Sequence, residues 1–363
     1  MDKIAIFSDV HFGLDGNSDQ RLDDAMNAVS WVCRTASEKG ISGCVFAGDW
    51  FHSRGEIDVK TALKAKESVA MCSETFRDGF YMIAGNHDYY YISSSSVSSV
   101  SLFSEYGNVH LVVDEPEVID VNGKKVLLAP WFFDPSSENR KFDAMIGHFE
   151  YVGGRMTSGF SKSGHNPADM LNVAPTVFTG HLHLTNDDDR SNGKIVVIGS
   201  TYQQDWGDCG DEKRMIIFDG SSYESVYNDV SPKYRKVSGS KLLSVDDDTL
   251  KKVFRDKIGD CFVKIVNDVG NESLDRLMSI VDIVSDCGNR KVEIDNANTV
   301  KSVMETMDMS LDDLASKNVR SYVCDFISRA IDSMPEYSDV DKDAATSKAM
   351  SYFNVIDGAK EAK

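Results

Sequence analysis

The chain has 363 residues, of which 39 are basic and 58 acidic, giving a formal net charge of −19. Its 41% hydrophobic content is ordinary for a globular protein and too high for a disordered one. No run of about 18 apolar residues offers a membrane span, and the scattered, odd-numbered cysteines contain no C-x-x-C pair, which excludes a disulfide scaffold or zinc ribbon and suits a reducing cytoplasm.

The opening, Met1–Gly13, turns polar too soon for a secretory signal and reads as a first core strand. Short apolar runs follow at Cys44–Ala47, Tyr81–Ala84, Val126–Ala129, Ala144–Ile146, Thr176–Phe178, Ile195–Ile198 and Met215–Phe218. Runs apolar on both faces predict strands covered on both sides. Residues 20–39 carry Leu22, Ala25, Met26, Val29, Val32, Cys33 and Ala36 at helical spacing and stop at Gly40; residues 57–76 behave similarly. The serine run Ser93–Ser101 is the low-complexity stretch, and Val97, Val100, Leu102 and Phe103 predict a helix near 92–106. From Tyr234 the pattern becomes strand (234–237), helix (247–257), strand (261–266), helix (272–284), strand (291–294), a small α+β unit. Residues 296–299 read as a linker. Two amphipathic helices then form a C-terminal hairpin, whose apolar faces need either the body of the protein or a partner. The expected division is 1–232, 233–298 and 299–363.

The chemistry lies at the strand ends. They read Ser8-Asp9-Val10-His11, Gly48-Asp49-Trp50-Phe51-His52, Gly85-Asn86-His87-Asp88, Gly147-His148-Phe149-Glu150 and Gly180-His181-Leu182-His183. Six of the 8 histidines sit in these motifs. In open α/β sheets, ligand sites lie outside the carboxyl ends of the strands, so the motifs should converge. Asp9/His11 and His181/His183 are i, i+2 pairs that face one way in extended chain. Imidazole with carboxylate and amide oxygen suits manganese, iron or zinc rather than calcium. Seven such donors exceed one tetrahedral ion and suit two divalent ions about 3.5–4 Å apart. His110 reads as a structural residue on a strand, His165 as a loop residue, and Asp88 and Glu150 as turn or supporting groups. The clusters Asp187–Asp189 and Asp246–Asp248 read as solvated turns and helix starts.

The set D-x-H, G-D, G-N-H-D, G-H and G-H-x-H, in this order, resembles the calcineurin-like metallophosphoesterase superfamily over roughly residues 1–220. The resemblance implies an α/β fold: a β-sandwich flanked by helices, plus a small α+β capping domain and the C-terminal helical hairpin. It also implies one ion on Asp9, His11, Asp49 and His183 and another on Asp49, Asn86, His148 and His181, with Asp49 bridging. The ions would be Mn²⁺, with Mg²⁺ as the other option. His87 would be the catalytic histidine. His52 would stand where related phosphatases keep the group that orients it.

The form Gly-Asp-Trp-Phe-His, with Pro130-Trp131 and Ile198-Gly199-Ser200-Thr201, resembles SbcD-type nuclease subunits. The layout is also similar to the recombination endonuclease subunit of tailed phages. That resemblance implies a DNA exo- and endonuclease acting in recombination and repair. Its partners would be an SMC-like ATPase of SbcC type docked on the C-terminal hairpin, and a second copy met through helices near 57–76 and 92–106. The expected location is the cytoplasm, the host's if the gene is a phage's. The alternative is a phosphoesterase for a small nucleotide or cyclic phosphodiester. A dead regulatory scaffold is disfavoured by the intact set of eight motif side chains. The acidic balance predicts weak binding to DNA by the chain alone.

Overall fold

The computed structural model describes residues 1–269 and 273–295. Along the chain the strands are β1 (Ile4–Phe7), β2 (Gly43–Ala47), β3 (Gly79–Ile83), β4 (Tyr89–Tyr91), β5 (Ser94–Ser98), β6 (Val109–Val112), β7 (Glu117–Val121), β8 (Lys124–Ala129) and β9 (Ala144–His148). They continue as β10 (Arg155–Met156), β11 (Gly159–Phe160), β12 (Thr176–Gly180), β13 (Asn186–Arg190), β14 (Gly193–Val197), β15 (Arg214–Phe218) and β16 (Tyr223–Tyr227). The last three are β17 (Tyr234–Ser238), β18 (Phe262–Val266) and β19 (Lys291–Asp295).

Two six-stranded sheets form the body, in the orders β16-β15-β1-β2-β3-β6 and β13-β14-β12-β9-β8-β7. In the first, β1, β2, β3 and β6 run parallel. In the second, β8, β9, β12 and β14 run parallel, with antiparallel strands at both edges. The period-2 alternation of side chains divides each apolar run between two cores. Ile4, Ile6, Val45, Ala47 and Ile83 meet Val126, Leu128, Ile146, Phe178 and Val196 between the sheets. Ala5, Phe7, Cys44, Phe46, Phe80 and Met82 face outward, where helices Asp19–Glu38 and Val59–Thr75 cover them. On the far side Leu127, Met145, Val177, Ile195 and Val197 lie beneath helix Pro167–Val173. This is a mixed α/β fold with helix-flanked sheets. Both helices of the first layer start on side-chain caps, Ser18 and Asp58.

The chain divides into two compact units: Met1–Ile265 with Asn271–Glu293, and Val266–Gly270 with Ile294–Lys363. The three-stranded sheet β17-β18-β19 begins at Tyr234, and most of it belongs to the first unit. Its helix opens on the Asp246 cap, but runs as α-helix only over Asp247–Val253 before a π turn at Phe254–Ile258. The linker expected at 296–299 and the hairpin over 299–363 lie outside the described residues.

Two expectations are corrected. No helix spans 92–106: Ser94–Ser98 is β5, paired with β4 across a register shift, and Ser99–Phe103 is a 3₁₀ turn. Ser98 and Ser99 hydroxyls donate to the Asp88 carbonyl, bonds that tie this segment back to the turn before β4. Nor is Asp187–Asp189 a turn. It lies on edge strand β13, where Asp187 accepts from Arg214 and from the Tyr223 hydroxyl and Asp189 meets Lys194. No helix among the described residues is long and apolar enough to cross a membrane.

Candidate active site

The carboxyl ends of β1, β2, β3, β9 and β12 open onto one edge of the sandwich. After β1 and β2 the backbones stay paired: Asp9 N–H donates to Gly48 O at 3.0 Å, and Val10 and His11 N–H both reach Asp49 O at 3.1 Å. Asp9, His11, Asp49 and His181 all turn through left-handed φ, at 55°, 51°, 63° and 73°. Outside glycine this region is uncommon, and Asp and His are among the residues that tolerate it best. Gly48, at φ 101°, leaves room for the His148 ring, whose Nδ1 would lie 2.2 Å from a β-carbon there. Asp88 fixes the turns from beneath. Its buried carboxylate accepts from Gly85, Asp49, Trp50 and Phe51 N–H groups at 2.9–3.2 Å. Burial and the adjacent Asp49 charge push Asp88 up to about 7.

Each buried site carboxylate has one oxygen tied to a backbone donor. Asp9 Oδ2 accepts from His181 N–H at 3.1 Å, and Asp49 Oδ1 from His87 N–H at 2.8 Å. The other oxygens face imidazoles. Asp9 Oδ1 lies 3.7 Å from both His11 Nε2 and His183 Nε2, while Asp49 Oδ2 lies 3.5 Å from His11 Nε2 and 3.3 Å from His148 Nε2. His148 Nδ1 donates to Ala47 O at 2.7 Å, so in neutral imidazole Nε2 is a bare acceptor. It faces another acceptor, Asn86 Oδ1, at 3.1 Å, and His181 Nδ1 comes within 2.9 Å of that same oxygen.

A pocket of converging acceptors fits a cation. Asp9 Oδ1 and both ring nitrogens of His11 are buried without a hydrogen-bond partner, a costly arrangement unless a further group satisfies them. The electrostatics agree. Burial disfavours charge on Asp9 and Asp49, yet the surrounding imidazoles outweigh it and hold both below the usual carboxylate range. Burial likewise opposes a charged His148, but Asp49 lifts it to about 9. His181, half-buried beside His148, is held down at about 4 by desolvation and by the His148 charge. The pocket favours positive charge at its centre, and imidazolium is the form that the chain can itself supply.

Donor atoms of Asp9/His11/His183 and of Asp49/His148/His181 lie within 4.8 Å of one another, as do those of His11/His52/His87. The structure therefore brings all seven expected ligands to one place, with His52 and His87 at its rim. The two rim rings stack with centroids 5.8 Å apart. His87 Nδ1 contacts the backbone carbonyl of His52 at 2.6 Å, so this orienting contact uses main chain rather than the His52 ring. His110 lies exposed on β6, and His165 is a half-buried loop residue. Glu150 accepts from Ser161 and Ser163.

Two neighbours were not anticipated. Trp131, noted in the sequence only as part of the Pro130-Trp131 resemblance and not as a site residue, packs its ring 5.0 Å from that of His181. Lys213 is buried, donating to the His183 carbonyl and to Asp208 at 2.7 Å each. A lone lysine among acidic residues carries no sequence signal for such a role.

The fold and this cluster define a phosphoesterase. The calcineurin-like phosphoesterase family matches residues 2–184, half of the chain, and the chain belongs to that family. Its members bind a dinuclear divalent metal site, and the His/Asp clusters here could hold metal.

Solved structures similar to this chain include YfcE, a phosphoesterase from E. coli, at 13% identity over 62% of this chain and 92% of that one, with TM-score 0.36. An archaeal phosphodiesterase matches at 11% identity over 62% and 99%, with TM-score 0.34. Phosphopantetheinyl hydrolase from Mycobacterium tuberculosis matches at 12% over 63% and 96%, with TM-score 0.36. No curated protein sequence matches the chain.

Proposed function

We propose that this phosphoesterase is a Mn²⁺-dependent DNA phosphodiesterase, the nuclease subunit of an SbcCD-type complex that processes DNA ends. The observation that carries the phosphodiester part is the meeting of Asp9 Oδ1 and Asp49 Oδ2 with imidazole acceptors at 3.3–3.7 Å. In this reading Asp9, His11 and His183 hold one divalent ion, Asn86, His148 and His181 hold the other, and Asp49 serves both. Such a pair of ions supplies a nucleophile from water near neutral pH and offsets charge on the phosphate. Asp88 keeps the Asp49 turn in place while charge redistributes. His87, its Nδ1 donating to the His52 carbonyl, acts through Nε2, which carries a proton for the phosphate or the leaving oxygen only in the imidazolium form, a form that burial disfavours in the chain alone. The His52 ring lines the entrance.

The open aspect of the centre supports a polymeric substrate. His52 is exposed and the His183 side chain is 33% exposed. From His181 and His183 a cavity of about 220 Å³ extends past Arg155 and Thr157. The exposed Val59, Leu63 and Leu102 support the expected homodimer, now through one helix and a 3₁₀ turn. Docking of an SMC-like ATPase on residues 299–363 rests on the sequence resemblance, and co-purification with such an ATPase tests it.

The test of activity incubates the full chain with Mn²⁺ and linear duplex DNA, single-stranded DNA, a nucleoside cyclic phosphate or bis(p-nitrophenyl) phosphate, with and without the ATPase. Cleavage of DNA that rises with the partner is expected. Hydrolysis of the small esters alone, with DNA intact under both conditions, replaces the nuclease reading with the small-substrate one.

A further inference from the structure

The segment Ser200–Gln204 follows β14 and is buried throughout, although the reading above gives it no task. Three of its side chains take up three successive carbonyls of the first ligand turn. Thr201 Oγ1 donates to Ser8 O at 2.7 Å, Gln204 Nε2 to Asp9 O at 2.6 Å, and the Tyr202 hydroxyl to Val10 O at 3.1 Å. These carbonyls flank Asp9 and His11, both held at left-handed φ. Such strain persists only where the surroundings over-determine it. Here one short segment brackets the whole turn.

The other edge of the bracket is tied to the small sheet. Arg21 is 2% exposed and donates to the carbonyls of Gln203 and Gln204 at 3.2 and 3.1 Å. Its guanidinium lies over the rings of Tyr202, Tyr234 and Phe262. Gln203 Oε1 accepts from Tyr234 N–H at 2.6 Å, and the Tyr234 hydroxyl donates to Gln204 O at 2.9 Å. Asp24 holds Arg21 at 2.7 Å and also accepts from Arg290, which Asp260 clasps in turn. Direct polar contacts thus run Arg290–Asp24–Arg21–Gln204–Asp9. The family match ends at residue 184, before both the bracket and the small sheet.

We propose that Gln204 is a positioning residue for Asp9 and that the Arg290–Asp24–Arg21 ion chain sets its hold, so that the seating of the small sheet tunes cation affinity at the Asp9/His11/His183 pocket. The proposal rests on the reading of Asp9 as a cation ligand. Without the Gln204 donor the Asp9 carbonyl loses a buried partner, and the main chain is free to relax from the conformation that aims Oδ1 at His11 and His183.

Calorimetric titration of the full-length chain with MnCl₂ tests it, using Gln204→Ala, Gln204→Glu and Arg290→Gln. The wild type should bind two ions. Each Gln204 variant should weaken one of them by about ten-fold, the lower end of the cost of removing a supporting partner, and leave the other unchanged. Gln204→Glu keeps the side-chain size but sets an acceptor against Asp9 O, so packing alone does not account for its effect. Arg290→Gln should weaken the same site by about two- to ten-fold, the worth of one altered hydrogen bond. Two unchanged sites in folded Gln204 variants overturn the proposal. If circular dichroism shows those variants unfolded, Arg290→Gln decides, and an unchanged isotherm there overturns it. A wild type that binds no Mn²⁺ removes the reading of Asp9 as a ligand, a failure distinct from unchanged variants.

Discussion

One added methyl group tests whether the two sheets set the site's geometry. A β-carbon at Gly180 would lie 2.1 Å from Ser8 Oγ, 2.5 Å from Ala47 O and 2.8 Å from His148 Nδ1. Gly180 does not hold a left-handed φ, so space alone forbids alanine. The Ala47 carbonyl belongs to a central strand and has little room to withdraw. It accepts from Ser8 Oγ at 2.9 Å and from His148 Nδ1 at 2.7 Å, and the methyl wedges between these groups. Overpacking costs about 1–3 kcal/mol, and two buried hydrogen bonds contribute about 0.5–1.5 kcal/mol each. The lower unfolded-state entropy of alanine returns about 0.4–1 kcal/mol. Gly180→Ala should therefore destabilise the chain by about 1–5.5 kcal/mol in urea unfolding. Because the same wedge releases the bond that fixes the His148 tautomer, Mn²⁺ affinity should fall about 10–100-fold. Gly107→Ala is the control, since nothing lies within 4 Å of its β-carbon position. If Gly180→Ala matches that control in stability and in Mn²⁺ binding, the argument that the sheets set the site fails.

Asp49→Ala should lose both ions and all hydrolysis of bis(p-nitrophenyl) phosphate, while His87→Ala should keep both ions and lose about 10²–10⁴-fold in rate; metal loss in both variants would remove the role given to His87. Leu63 is 63% exposed and one helical turn from exposed Val59, so Leu63→Glu should convert a dimer to a folded monomer in light scattering, and a monomeric wild type would refute that interface. Asp219 accepts from Ser222 N–H, Ser221 N–H and the Ser222 hydroxyl, which hold it at about 2. Its folded value is depressed, so its contribution to stability is complete above the unfolded value near 3.9 and is lost as pH falls toward 2; a carboxyl ¹³C titration with a midpoint near 4 would contradict the bonding seen.

What the sequence made legible follows from where the information is local. Strands β1, β2, β9 and β12, and β8 from Val126 onward, are largely apolar runs buried on both faces, so composition alone marks them. That these side chains would cluster was legible because the motifs stand directly after such runs. The hairpin β4–β5 was not. Val97 and Leu102 lie exposed, while Val100 and Phe103 alone reach the core, so the apparent helical stripe was half solvent-facing. The acidic strand β13 failed for a different reason: its partners Arg214 and Tyr223 come from strands β15 and β16, far along the chain. The bracket on Asp9 likewise joins residues almost two hundred positions apart. Side chains that act through remote carbonyls leave no periodic or compositional trace.

Strain and polarity at the centre have a common origin. Four expected ligands bear left-handed φ, and such conformations cost about 1–3 kcal/mol each. They are retained by side chains bonded to backbone groups of the turns. Asp88 clasps the Asp49 turn, Gln204 the Asp9 turn, and Asp9 itself the N–H of His181. The frame is therefore made by bonds within the chain itself. The acceptors it leaves over, Asp9 Oδ1 and the His11 nitrogens, lack partners because the frame already uses the nearby donors. A pocket of acceptors framed in this way would hold a cation through electrostatics that the fold sets, and small displacements of the frame would then change its affinity.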